Sequence, residues 1–211
     1  PGGGIQPGSS VRVFDKNYKN PRINTFNVQF EQELVADLAA YFDFTHSRGD
    51  DLTRFFNYAR TGFFPTLGDV FVTSSVGRSR YNAFTAGLRK RFSKGYQFEA
   101  NYVWSKDKDD DSNERDPFND RSIDPLNPGL DYSYSDRDIR HKFNFFAHAE
   151  LPWKFEFTPR VQFRSAQPAT PPGAFTLVNG VTNRNTLRKD NEYFSFDWRL
   201  SRAFNISERV E

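Results

Sequence analysis

The sequence is apolar at every second residue in seven separate stretches, and this period of two most restricts the folds open to it. Successive side chains of a strand point to opposite faces, whereas one face of a helix needs a spacing of three or four. Phe26, Val28 and Phe30 alternate with Thr25, Asn27 and Gln29 over 24–31. The pattern returns over 38–45 through Leu38, Ala40, Phe42 and Phe44, and over 83–91 through Phe84, Ala86 and Leu88. Over 98–105, Phe98, Ala100, Tyr102 and Trp104 oppose Glu99, Asn101, Val103 and Ser105. It recurs over 140–150 (Phe143, Phe145), 155–164 (Phe157, Val161, Phe163) and 193–201 (Phe194, Phe196, Trp198). The chain therefore reads as all-β, with about seven antiparallel up-and-down strands. Each is near the ~9–11 residues that cross a bilayer when tilted. Pro159 removes a ladder donor, so a bulge is expected there, or a strand that begins after it.

The connections suggest what those strands are for. Links around 34–36, 93–95, 152–154 and 205–207 are short, and those near 48–76, 107–134 and 167–190 are long. Outer-membrane barrels alternate in this way because periplasmic turns are tight and extracellular loops are long. Compact soluble domains rarely hold loops above about 12–15 residues. The expectation is an irregular lead-in over 1–20 and part of a transmembrane β-barrel over 21–211, an open curved sheet if it stands alone. Bacterial barrels have even strand numbers. An odd count, with a start at Pro1-Gly2-Gly3-Gly4 and no methionine, reads as a window on a larger barrel.

Composition fits that expectation. A hydrophobic content of 36% would suit a disordered chain, but 24 Phe and 9 Tyr would not. Apolar residues confined to alternate positions explain both. No apolar run approaches the roughly 18 residues of a membrane helix. The 29 basic residues are interleaved with 27 acidic ones, which argues against nucleic acid as a partner. With no cysteine, disulfides and thiolate metal sites are impossible.

The run SRYNAFTAGLRKRFSKGYQFEANYVWSKDKDD, residues 79–110, resembles a barrel hairpin of TonB-dependent outer-membrane receptors. The likeness is to the Oar-like branch, which carries a carboxypeptidase-regulatory-like domain. Tyr81, Arg91, Phe92, Gly95, Tyr102, Trp104, Ser105 and Lys106 carry it. YSDRDIRHKFN resembles the same family's strand entry through Ser135, Asp136, Asp138, Arg140 and His141, and NPRINTFNVQFEQEL resembles a strand pair upstream. The resemblance implies transport across a Gram-negative outer membrane. Its partners would be membrane lipid, a plug domain of the same full-length chain, the TonB system and an unidentified ligand. The plug and the TonB box have no counterpart in this sequence.

Candidate sites follow from the same geometry. Asp109, Asp110, Asp111 and Glu114 offer hard oxygen ligands for Ca²⁺. EF-hand spacing is missing and Lys and Arg are interleaved, so a solvated loop is the preferred reading. Parity places Arg89, Glu99, Asn101, Lys142, His148, Arg160, Arg164, Asp197 and Arg199 on the lumen side. They could select an anionic cargo, but pairing among themselves or with a plug is preferred. His141 and His148 fall on opposite faces, so they cannot share a metal. His148 and Glu150 share a face. No nucleophile elbow, zinc-ligand run or phosphate loop occurs, so neither an enzyme nor a cofactor is expected. The rival readings are a soluble all-β carbohydrate-binding module and an outer-membrane enzyme with a site at the loop rim, built from His46 and the acidic loop.

Overall fold

The computed structural model of the protein describes residues 4–112, 120–173 and 176–204. In chain order the strands are β1 (Val11–Phe14), β2 (Arg22–Val35), β3 (Leu38–Asn57), β4 (Val70–Ser93), β5 (Tyr96–Asp109) and β6 (Ser133–Tyr134). They continue as β7 (His141–Leu151), β8 (Phe155–Arg164), β9 (Pro168–Ala169), β10 (Leu177–Val178), β11 (Val181–Thr182), β12 (Leu187–Arg188) and β13 (Tyr193–Arg202). Seven long strands form one antiparallel sheet in the order β13-β8-β7-β5-β4-β3-β2. Each is paired with the long strand next to it in sequence, so the fold is all-β and up-and-down. The sheet is not closed. β2 and β13 are its edges.

Register turns the period of two into two continuous faces. One row of cross-strand neighbours reads Glu31, Tyr41, Gly87, Asn101, Asn144, Gln162 and Ser195. The adjacent row, on the opposite face, reads Phe30, Phe42, Ala86, Tyr102, Phe143, Phe163 and Phe194. Rings meet along that face, as in Phe42 with Phe84, Phe98 with Phe145 and Phe157 with Trp198. Among the described residues no second layer covers them: Phe30, Trp104, Phe194 and Trp198 are more than half exposed. A soluble monomer does not carry a greasy face of that extent, whereas a bilayer buries it.

Tight turns close one end of the sheet. Lys94 and Gly95 both have positive φ (55° and 82°), as a two-residue type I′ hairpin requires. Lys90 starts on the apolar face but folds its ammonium onto the Ser93 and Tyr96 carbonyls at 3.0 and 3.2 Å, keeping the charge at the turn. On the polar face the Tyr41 ring lies flat across Gly87, its cross-strand partner, where any Cβ would overlap it. The Tyr41 hydroxyl donates to Glu99 Oε1 at 3.1 Å.

Several boundaries differ from the sequence reading. The link near 48–76 is mostly strand, because β3 has 20 residues and β4 has 24. At ~3.3 Å per residue both rise well beyond a bilayer. Alternation fades there because one face packs beneath polar loop segments, with Arg54, Phe56 and Ser74 buried, and no lipid-facing stripe is needed. A bulge near Asp51 (φ 58°) marks where the pattern is lost. The lead-in 1–20 is not wholly irregular: β1 lies parallel to the upper part of β4, beyond the point where β5 leaves it. The chain then crosses β4 and β3, held by Lys19 N–H to Ser75 Oγ and by Tyr18 with Thr53, and enters β2 on the far side. Pro159 makes no bulge. β8 runs through it, its pairing with β13 is continuous, and only the ladder to β7 skips 158–159 without changing register. The link near 167–190 holds two small sheets, β9 with β12 and β10 with β11.

Candidate functional site

The buried part of the molecule lies at the loop end, and it is polar. Arg54, near the top of β3, is 2% exposed and reaches Asp131 Oδ2 at 2.8 Å and the Pro128 carbonyl at 3.1 Å. Asp131, also 2% exposed, accepts the Ile123 N–H at 2.9 Å through its other oxygen. Arg184, from the turn after β11, donates to the Asp109 carboxylate, to the Asp109 carbonyl at 2.8 Å and to Ser112 Oγ at 2.9 Å. Asp138 is fully buried and gathers the Asp107 N–H at 2.7 Å, Arg140 at 3.1 Å and Arg188 at 2.7 Å. Three segments far apart in sequence are thus fastened by the Arg54, Arg184 and Arg188 guanidiniums, which each bind a carboxylate oxygen and a backbone carbonyl. Removing one partner of such a buried pair typically costs roughly 3–5 kcal/mol, because the other charge is stranded.

Burial dominates the titration of this cap. It pushes the Asp110 carboxyl up to about 6, against the opposing pull of Arg78 and Arg54. Burial also raises Asp131, against Arg54, the Ile123 N–H and Arg184. Beside the latch, a cleft of about 590 Å³ opens between Arg60, Asp120, Arg121, Asp136, Asn185 and Lys189. Arg60 is held by Asp120 at 2.9 Å, and Asp136 by the Asn185 amide at 2.7 Å. Arg121 and Lys189 face the cleft as its exposed cations.

The acidic run is therefore not a solvated loop where it is described. Asp109 is taken by Arg184, Asp110 by Arg78, and Asp111 lies 4.0 Å from Arg54 Nε. Glu114 lies outside the described residues. Among the described residues, no group of three or more histidines and carboxylates converges as a metal site would.

The nine residues assigned to the lumen share the polar face, and the structure sorts them. Arg89 meets Glu99 at 3.4 Å, and Asn101 accepts from Asn144 at 3.0 Å. His148 contacts Thr158 Oγ1 at 3.2 Å and the Phe92 ring, not Glu150. Asp197 accepts from Ser195 at 2.6 Å. Lys142, Arg160, Arg164 and Arg199 have no ion pair among the described residues. His141 stacks on Tyr102 on the opposite face, and His46 meets Asn82 at 2.7 Å. The sequence reading missed Arg54, Asp131, Arg184 and Arg188. Their partners lie 50–77 residues away, and no periodicity reports such a distance.

The sequence model of one family, described as an outer membrane beta barrel domain, matches residues 1–159. No curated protein matches the sequence. Among solved structures, the outer membrane transporter YddB from Escherichia coli is similar, with a TM-score of 0.60 at 11% identity over 93% of this chain. The chain spans 28% of that transporter's length, and at this identity the likeness is one of fold. The soluble-module reading finds no support. A two-faced antiparallel sheet with an uncovered apolar side is what the outer membrane asks of a polypeptide, and the chain belongs to the outer membrane β-barrel domain family.

Proposed function

We propose that this chain is a wall segment of a TonB-dependent transporter in a Gram-negative outer membrane, of the Oar-like branch, and that it has no catalytic role. The observation that carries the reading is the two-faced sheet with all its long connections at one end, folded like part of an outer membrane transporter. The hairpin motif around Trp104-Ser105-Lys106 and the strand entry at Ser135–His141 support the branch. In this reading the polar face lines a wet interior. The latched loops stand outside the cell, and their cleft at Arg121 and Lys189 meets the ligand before it enters. Lipid covers the phenylalanine face, and a plug and TonB are partners of the full-length protein.

Site-specific cross-linking of the full-length protein to TonB in living cells tests this. Adducts that form only while the inner membrane is energised are expected. A full-length protein that moves solute with no TonB adduct would be an ungated pore instead.

A further inference from the structure

We propose that a recess between β7 and β8 on the polar face is an oxyanion-binding station of the barrel interior, holding one carboxylate or phosphate group between Lys142 and Arg164. These two cations are direct cross-strand partners. Like charges so placed repel and destabilise a ladder. On the same face Arg89 has its charge matched by Glu99. Here it is not: among the described residues neither Lys142 nor Arg164 has an acidic partner, and the Arg164 guanidinium lies 5.8 Å from the centre of the Tyr193 ring. Arg160 adds a third positive charge two inward rows away. The acid in register with it, Asp197, is engaged by Ser195.

The recess has a volume of about 270 Å³ and also includes Asn144 and Gln162. Gln162 donates to Asn144 at 3.5 Å, and Asn144 to Asn101 at 3.0 Å. Each amide nitrogen keeps a second hydrogen free to donate. The recess is walled in part by Phe163 and Tyr193; two cations beside amide donors there complement an oxyanion, and both cations are half-buried, so water screens them less. The oxyanion could belong to a solute in the interior or to an acidic side chain of a segment lying there. The inference rests on the barrel assignment and not on energised uptake.

The test uses the full-length protein in detergent, as wild type, Lys142→Gln/Arg164→Gln and Lys142→Arg. Inorganic phosphate is titrated at constant ionic strength against chloride, with binding read by calorimetry and melting followed in parallel. If a solute supplies the oxyanion, wild type and Lys142→Arg bind phosphate saturably, and the double variant binds about tenfold or more weakly. If an acidic side chain already fills the recess, no form binds phosphate, and only the double variant melts lower. Two results overturn the proposal where wild type binds no phosphate: a double variant that melts as high as wild type or higher, or an equal loss in Lys142→Arg, which would assign the change to packing.

Discussion

Ala100 stands at the middle of the apolar face of β5, between Phe98 and Tyr102 and opposite Phe145. Asn101, one residue on, faces the other way into an amide ladder. Ala100→Arg should therefore cost roughly 2–4 kcal/mol of stability in lipid, and Asn101→Arg much less. Equal costs in a folding titration into vesicles would sink the assignment of faces. Asp110 gives a second residue-scale expectation, with a sign. Its carboxyl is raised from 3.8 to about 6 in the folded cap, so the proton favours the closed state. The stability it adds is full below 3.8 and is lost as pH rises through about 6. Hydrogen-exchange protection of residues 122–135 should fall between pH 5 and pH 8, and Asp110→Asn should reduce that fall, leaving the part due to Asp107, whose carboxyl burial also raises to about 6. A rise over the same window, or a slope the variant leaves unchanged, would contradict it. Face assignment was legible from the sequence because it needs only parity. The partners of Asp109 and Asp131 were not, since pairing across 75–77 residues depends on the tertiary fold.

At the scale of elements, strand number and order follow from periodicity, while strand ends do not. β3 and β4 outrun their apolar stripes by several residues, because a strand held by two neighbours needs no greasy face to persist above the membrane. The turn at Lys94 and the segment at Ser112 mark opposite ends of β5 and its flanks. Single cysteines at these positions, treated on whole cells with a reagent that cannot cross the membrane, should react only at Ser112. Reaction at Lys94 alone would invert the topology. Ser112 Oγ is hydrogen-bonded to Asp109, so labelling there should be slower than at a free loop position but still measurable.

For the whole molecule, the open edges decide behaviour. Among the described residues, β2 and β13 each present unpaired backbone groups on one side, and lipid can satisfy none of them. Residues 1–211 expressed alone in buffer should aggregate or need detergent, and a monodisperse monomer with a cooperative melt would refute this. Within the membrane, further strands must meet both edges. The loop end has a different consequence. Arg54, Arg184 and Arg188 fasten the top of β3, the segment after β5 and the turn after β11 into one surface built from remote stretches of sequence. An antibody raised against that surface will therefore recognise a conformational epitope. It will fail on denatured blots and on synthetic peptides of any single loop. Loss of one arginine should weaken that epitope rather than erase it, since Asn185 still holds Tyr134 and Asp136 and Arg60 still holds Asp120.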